Sequence, residues 1–398
     1  MGADEVIAWI VREGLETEGP ELLRGLGNEL RRHGFPVSHL WHSATVGHPM
    51  VNAYGITWTA EGDQVEQNFM RHGVLRGILE EHTFPPALVM VPGTRRVALR
   101  AEDLPTRYDL INARFAAGAT DYVILRTGRE EPSIIDDLAV KRARVFLYAF
   151  TLTAPEGFDQ DGLDRIVGVL DLAMRVQAER FSGRALLEAY IGSDAAERVW
   201  NGQVQRGDHT RVQAAIAFTD LRGFSAMTEA LDATEVLDVL DEAFELQVRA
   251  IHAHGGHVLK FMGDGLLAIW PDADGCDAAL AALDELEVTV EAANTERAGQ
   301  GKVPIRYGAA LHFGEVVYGN IGSTDRLDFT VVGSAVNRAA RLESLGAKLG
   351  VRPVLSEVAA SRVSRPVHDL GSHEAKGVGT VRVFGLAVDG PGDRPAQE

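Results

Sequence analysis

Residues 214–225 read Ala-Ala-Ile-Ala-Phe-Thr-Asp-Leu-Arg-Gly-Phe-Ser, an apolar run that ends at a carboxylate and then at a glycine. The run is too short and too rich in β-forming residues for a helix, and Arg222 and Gly223 have the composition of a turn. We therefore predict a strand that ends near Asp220 and places its carboxylate at the rim of a sheet.

A second carboxylate has a similar setting further along the chain. Residues 260–265 read Lys-Phe-Met-Gly-Asp-Gly, so Asp264 lies between two glycines. Apolar residues on both sides predict a hairpin with Asp264 at its tip. If the two strands are neighbours, Asp220 and Asp264 meet at one rim, where their oxygens suit Mg²⁺ and the phosphoryl chemistry of a nucleoside triphosphate. Taken alone, either aspartate is equally well a turn former.

A third stretch fits the same chemistry. An apolar strand at 329–332 leads through Gly333 into a predicted helix that Ser334 can cap. Asn337 and Arg341 then lie one turn apart on one face of that helix. An amide and a guanidinium so placed can orient a ribose and hold a phosphate, whereas an isolated pair of this kind is usually a solvated polar face.

The stretch from about Ala214 to Leu386 resembles the catalytic domain of class III nucleotidyl cyclases, the adenylate and guanylate cyclase family. Phe-Thr-Asp-Leu-Arg-Gly-Phe-Ser matches the motif of the family's first metal-binding aspartate, and Lys-Phe-Met-Gly-Asp matches that of the second. The resemblance implies that Asp220 and Asp264, with the backbone carbonyl of Leu221, hold two Mg²⁺ or Mn²⁺ ions per site.

The same resemblance assigns the contacts to the substrate. Lys260 falls on the family's base-selecting lysine, and Asn337 and Arg341 fall on its transition-state residues in Gly-x-x-Val-Asn-x-Ala-x-Arg. Lys376, in Glu-Ala-Lys-Gly, falls on a lysine that contacts phosphate. The second base-contacting residue is often Asp, three residues before the glycine that opens the helix; here that position is Thr330.

A lysine and threonine pair resembles the bacterial and soluble subclass that makes cyclic AMP and is often stimulated by bicarbonate. Adenine N1 can accept from Lys260, and the adenine N6 amino group can donate to Thr330, whereas guanine presents donors to the ammonium group. We therefore expect an adenylate cyclase that converts ATP to 3′,5′-cyclic AMP and pyrophosphate. The alternatives are a guanylate cyclase or a catalytically silent nucleotide-binding homologue; the Gly-Gly-Asp/Glu-Glu-Phe signature of diguanylate cyclases is absent.

The implied reaction is intramolecular, with the ribose 3′-hydroxyl, activated by a metal ion on the two aspartates, attacking the α-phosphate in line. Lys260 precedes Asp264 by four residues, about 13 Å along an extended strand. One copy of the chain therefore need not direct both residues at the same nucleotide. In the family the two halves come from opposite protomers of a head-to-tail homodimer, and residues 319–328 would form the hairpin arm that crosses it.

The composition is that of an ordinary globular protein. The 398 residues are 45% hydrophobic and 24% charged, and the net charge of −18 disfavours nonspecific binding to nucleic acid or anionic lipid. Cys276 is the only cysteine, which excludes an intrachain disulfide. Acidic residues near the N-terminus do not fit a signal peptide, and no apolar run reaches the roughly 18 residues of a membrane span. We expect a cytoplasmic location without membrane or nucleic-acid partners.

The first part of the chain has mixed helical and strand patterns and resembles a GAF-type sensor domain, which would bind a small-molecule ligand. Its histidines, His33, His39, His42 and His48, match no standard metal site, and Trp9, Trp41 and Trp58 are expected in the core. The predicted helices are 4–13, 19–32 and 106–116, and the predicted strands are 39–44, 53–59, 96–100, 121–126 and 144–153.

The sequence as a whole predicts an α+β protein. A ferredoxin-like βαββαβ cyclase catalytic domain at 209–388 is preceded by the α/β GAF-like sensor domain at 1–160 and by a connecting helix and joint at 161–208. The apolar pattern of that helix suggests pairing with its twin in a second copy. Residues 389–398 are predicted to be a flexible tail.

Overall fold

The computed structural model describes residues 2–71, 93–103, 106, 108–127, 145–272 and 274–387. The chain divides into two compact units, Met1–Leu186 and Leu187–Glu398. The predicted tail at 389–398 lies outside the described residues. No helix within the described ranges combines the length and the apolar character needed to cross a bilayer.

The first unit is built on an antiparallel sheet whose strands follow the order β3-β2-β1-β6-β5-β4. Most of its elements were predicted, but the edge strand β3 was not. Its strands are β1 (Val37–Thr45), β2 (Val51–Thr59), β3 (Gln64–Arg71), β4 (Gly93–Ala98), β5 (Asp121–Thr127) and β6 (Phe146–Leu152), and its helices are α1 (Gly2–Glu13), α2 (Gly19–Arg32) and α3 (Asp109–Ala116).

The two faces of this sheet have different coverings. Side chains alternate along β1, so Leu40 belongs to the larger core, which includes residues of α1, α2 and the first part of the long helix α4 (Gln160–Ile191). Trp41 lies on the opposite face, in a smaller cluster with residues of α3. Trp58 is fully buried in the larger core, as expected. Trp41, also expected in a core, packs in the smaller cluster because its position in β1 is out of phase with Leu40.

Most of the apolar side chains of helix α4 pack within the first unit. Leu163, Ile166 and Leu170 are fully buried there, while Leu172 and Val176 stay exposed. Pairing of this helix with a second copy remains a prediction. In the stretch predicted as a joint, the structure instead contains a short helix, α5 (Ser193–Trp200).

The second unit contains an eight-stranded sheet in the order β13-β14-β12-β10-β7-β9-β8, with β11 paired to β10. The segment β7-α7-β8-β9-α8-β10 follows the predicted βαββαβ order. After α5 the elements are β7 (His209–Leu221), α6 (Phe224–Ala230), α7 (Ala233–Ala253), β8 (His257–Met262), β9 (Gly265–Trp270), α8 (Gly275–Gly299), β10 (Tyr307–Gly322), β11 (Leu327–Val332), α9 (Ser334–Leu349), β12 (Val354–Ser356), α10 (Glu357–Ala360), β13 (Val367–Ala375) and β14 (Gly379–Leu386).

Local signals explain where the helices near the site begin and end. Helix α7 starts with a capping box in which Asp232 accepts from the backbone of Glu235, and Gly255 follows its end with a φ of +72°. Helix α9 differs from expectation, because Ser334 is its first residue and Gly333 occupies the N-cap position without a side-chain bond. The cap predicted at Ser334 is therefore wrong.

Candidate active site

Two neighbouring strands bring Asp220 and Asp264 to one rim of the second sheet. In the antiparallel pair of β7 and β9, Asp220 lies opposite Gly265, the residue that follows Asp264. Gly263 has a φ of +70° and turns the chain between β8 and β9, so Asp264 lies at the hairpin tip. Leu221 is the last residue of β7, and its backbone lies at the same rim.

The two carboxylates interact electrostatically. Burial raises the pKa of Asp220, the charge of Asp264 raises it further, and Arg222 acts in the opposite direction. The charge of Asp264 thus disfavours ionisation of Asp220, and a divalent cation bound between them would relieve that repulsion. Within the described ranges no group of three or more His, Cys, Asp or Glu side chains could hold a metal ion. A cation here would need oxygens from the substrate, the usual situation for Mg²⁺.

Arg222 and Glu343 form a partly buried ion pair beside these carboxylates, and sequence reasoning missed it. Their Nη1 and Oε1 atoms are 2.7 Å apart, and Glu343 is only 3% exposed. Burial raises the pKa of Glu343, Arg222 lowers it, and the charges of the two aspartates raise it again. Arg222 lies in the motif around Asp220, and Glu343 follows the motif of Asn337 and Arg341 by two residues, but nothing local to the sequence pairs them.

A glycine on β10 makes room for this ion pair. Gly308 lies opposite Asp220 in the pair of β10 and β7. A Cβ atom at Gly308 would lie 1.9 Å from Arg222 Nη2 and 2.3 Å from Glu343 Oε1. On the other flank, a Cβ at Gly265 would lie 3.1 Å from Asp220 Oδ1. Gly308 is thus required for steric reasons, and a side chain at Gly265 would be in tight contact with Asp220.

Lys260 of β8 and Thr330 of β11 lie near each other. Lys260 Nζ lies 2.5 Å from Asp328 Oδ2, and the two side chains are 46% and 53% exposed. Asp328 and Thr330 alternate along β11 with the buried Phe329, so they share a strand face. The ammonium group of Lys260 is therefore held near Thr330 by a residue that the motif analysis did not single out.

Asn337 and Arg341 lie on an exposed face of α9, one turn apart. Arg341 and Glu343 are two residues apart, about 200° around the helix, so Arg341 points away from the side that approaches Asp220. Among the described residues, no hydrogen bond or ion pair joins Asn337 or Arg341 to Asp220 or Asp264.

Lys376 is exposed too, in the turn after β13. One chain therefore brings Asp220 close to Asp264 and Lys260 close to Asp328, whereas within the described ranges no hydrogen bond or ion pair links Lys376 to either pair.

Several large apolar side chains are exposed on β8, β10 and β11, the strands that contain or adjoin Lys260 and Thr330. Large exposed apolar patches on a protein usually mark an interaction surface. We call the following set the apolar rim: Phe261 (50% exposed), Met262 (47%), Ile321 (43%), Leu327 (41%) and Val332 (50%).

Comparison with known proteins agrees with this architecture. Residues 208–386 match the family model described as the adenylate and guanylate cyclase catalytic domain. An adenylate cyclase of Anabaena cylindrica is 32% identical over 181 residues, which make up 44% of this chain and 36% of that protein. Adenylate cyclase 1 of Rhizobium meliloti (strain 1021) is 28% identical over 252 residues, 61% of this chain and 32% of that protein.

Among solved structures, the guanylyl cyclase Cya2 is 32% identical, with coverage of 45% of this chain and 93% of that chain and a TM-score of 0.41. The chain spans about a third of the length of the two curated relatives. The match to the family model includes the carboxylate pair, Lys260 and the Asn337 helix. Through residues 208–386 the chain belongs to the adenylate and guanylate cyclase catalytic domain family.

Proposed function

We propose that this protein is an adenylate cyclase that converts ATP to 3′,5′-cyclic AMP and pyrophosphate. The observation that carries the proposal is that Asp220 and Asp264 lie at one rim of the sheet. Asp220 lies opposite Gly265, and the turn at Gly263 places Asp264 at the tip of the hairpin. The two curated relatives described above bear the name adenylate cyclase. The chemistry required is the positioning and neutralisation of a nucleoside triphosphate, which these residue types can perform.

Each polar residue has a separate role in this proposal. Mg²⁺ or Mn²⁺ bound by Asp220, Asp264 and the Leu221 carbonyl would supply Lewis-acid stabilisation of the phosphoryl oxygens. Asn337 orients the ribose so that its 3′-oxygen lies in line with the α-phosphorus. Arg341 donates to the oxygens on which negative charge develops.

Lys376 holds the departing pyrophosphate. Together these groups position the substrate and neutralise its charge.

The complete site is proposed to need two copies of the chain. Asn337 and Arg341 are exposed, and Arg341 lies on the side of α9 opposite Glu343, so we expect a second copy to supply these two groups. The apolar rim would be covered by that copy, and the hairpin of β10 and β11 would reach across to it. A head-to-tail homodimer then carries two sites, each with carboxylates from one protomer and Asn337 from its partner.

ATP is the proposed nucleotide because Lys260 can donate to adenine N1 while Thr330 accepts from the N6 amino group. Asp328 orients the ammonium group, and the ammonium has three N–H donors, so two remain after that contact. The Asp328 carboxylate also supports the alternative proposal, a guanylate cyclase. Asp328 could accept from guanine N1–H and N2–H, so GTP must be compared directly with ATP.

The test is to incubate the purified full chain with ATP or GTP, in Mg²⁺ or Mn²⁺, and to identify the product by mass spectrometry. The expected result is cyclic AMP, with Asp264→Asn as the inactive control. If cyclic GMP is the favoured product, the protein is a guanylate cyclase and the proposed preference for ATP is wrong. A chain that binds nucleotide with every metal ion but forms no cyclic product would be the silent homologue.

The first unit is proposed to be a GAF-like sensor that alters cyclase turnover. Its antiparallel sheet with helices on both faces is the architecture that supports this assignment. Helix α4 leaves that unit and ends at Ile191, so a change in the first unit has a continuous helix along which to act. Bicarbonate stimulation, the other proposed input, is tested by adding bicarbonate at fixed pH and ionic strength.

A further inference from the structure

A cavity of about 320 Å³ lies in the first unit, between helix α3 and the sheet face opposite the larger core. Its sheet side includes Trp41 and His39 from β1 and Tyr122 from β5, and Arg114 of α3 lies across from them. The volume falls in the range of small-molecule sites, about 300–1,000 Å³. Gly55 also lines the cavity, and a Cβ there would lie in tight contact, 3.3 Å, with the indole Nε1 of Trp41.

Arg114 is the polar group that this cavity leaves unsatisfied. Its Nε atom is buried and has no hydrogen-bond partner in the described part of the chain. Burial lowers the pKa of Arg114, and its positive charge acts on both His39 and Tyr122. A buried donor without an acceptor is costly, and a guanidinium group is shaped to hold a carboxylate with two parallel N–H bonds.

The charge around the cavity limits the kind of ligand. The described lining contains no aspartate or glutamate, and Arg114 is its one permanent cation. Burial, with help from the Arg114 charge, lowers the pKa of His39 to about 4, so His39 is neutral near pH 7. A ligand with one negative charge would neutralise the single positive charge of Arg114.

The rest of the lining is mostly apolar or aromatic. Trp41 and Tyr122 offer ring surfaces, and Met70, Leu110 and Ala149 add aliphatic contact. Such walls favour a planar apolar body over a sugar or a peptide.

We propose that this cavity binds a small monoanionic aromatic carboxylate, whose carboxylate accepts from Arg114 and whose ring packs against Trp41 and Tyr122. The inference concerns binding to the first unit and does not depend on the activity proposed for the second.

The experiment is isothermal titration calorimetry on the full chain with three probes, benzoate, indole-3-acetate and 2-naphthoate, each compared with its uncharged amide. At least one carboxylate should bind with one-to-one stoichiometry and about tenfold or more tighter than its amide, the size expected for a hydrogen bond to a charged group. Arg114→Gln should remove that preference. Arg31→Gln, an exposed arginine on α2 at the other face, should leave it unchanged.

Three results would overturn the proposal: no carboxylate binds, every carboxylate binds no better than its amide, or Arg114→Gln keeps the preference. If Arg114→Gln fails to fold, the same titrations are carried out on Arg114→Lys, which keeps the positive charge but lacks the planar guanidinium. This variant should still bind the carboxylate more tightly than the amide, with a lower affinity than the unaltered chain. The comparison of acid with amide on the unaltered chain decides the question even without a variant.

Discussion

Replacing Glu343 by Gln should both destabilise the second unit and weaken its use of metal ions. Glu343 and Arg222 lie within a charge cluster that also contains Asp220 and Asp264. Glu343→Gln removes one negative charge and keeps the shape of the side chain. The guanidinium of Arg222 then has no buried counter-ion and is drawn towards Asp220, where it competes with a divalent cation.

The size of the effect follows from the burial of the two side chains, which are 4% exposed for Glu343 and 30% for Arg222. Removing one partner of a fully buried ion pair costs about 3–5 kcal/mol, and an exposed pair contributes about 0–1 kcal/mol. This pair lies between those limits, so the free energy of unfolding should fall by about 2 kcal/mol. For a unit of roughly 200 residues that corresponds to about 4–8 °C in Tm. The metal concentration for half-maximal turnover should rise several-fold.

The assay is urea unfolding and a Mn²⁺ titration of turnover, on the unaltered chain and on Glu343→Gln. Glu343→Gln combined with Arg222→Gln should recover part of the lost stability, because no unpaired charge remains. The matched control is Asp284→Asn, which breaks the exposed Arg365–Asp284 pair and should cost less than about 1 kcal/mol. If Glu343→Gln is no more destabilising than Asp284→Asn, the argument for a functional buried pair is wrong.

Three further predictions test the base site, the first core and the link between the units. Lys260→Ala should lose most turnover with ATP, because loss of a polar contact to the substrate can change discrimination by about 10⁴-fold. Lys260→Glu combined with Thr330→Cys should shift the nucleotide preference towards GTP. Unchanged selectivity for ATP over GTP in competition assays would contradict this. Burial lowers the pKa of His42 to about 4 from an ordinary 6.5, so the unfolded chain takes up the proton first. The free energy of unfolding should then fall by up to about 3 kcal/mol as the pH drops from 6.5 towards 4, and urea unfolding of His42→Gln should show a flatter profile. The second unit alone, beginning at Leu187, should differ from the full chain in turnover even when both are fully dimeric by mass. Equal turnover and equal concentration dependence would exclude a regulatory first unit.

Local sequence signals were sufficient for much of the second unit. The hairpin of β8 and β9 could be predicted because glycines bracket Asp264 and apolar strands flank it, and α7 ends where Gly255 stops it. The convergence of Asp220 and Asp264 followed from those strands being neighbours in the sheet. In each case the residues that determine the geometry lie within a few positions of the residue concerned.

The features that were missed depend on long-range packing or on weak patterns. Strand β3 is largely exposed and polar, so it has no apolar alternation, and α5 buries little more than Ala195 and Ala196. The side of the sheet that Trp41 occupies is fixed only once β1 is placed against α2 and α3. The pairing of Arg222 with Glu343 joins two segments that are distant in the chain, and only the fold brings them together.

The central claim, a cyclase site made from two copies of this chain, is tested most directly by mixing two inactive variants. Asp220→Ala lacks a metal-binding carboxylate, and Asn337→Ala lacks the ribose contact, so each homodimer should form almost no cyclic AMP from ATP. After subunit exchange, verified by native mass spectrometry, each heterodimer should contain one intact site, and turnover should return towards half that of the unaltered protein per heterodimer. A mixture that stays inactive despite proven exchange, or a single variant that keeps near-normal turnover, would contradict the account.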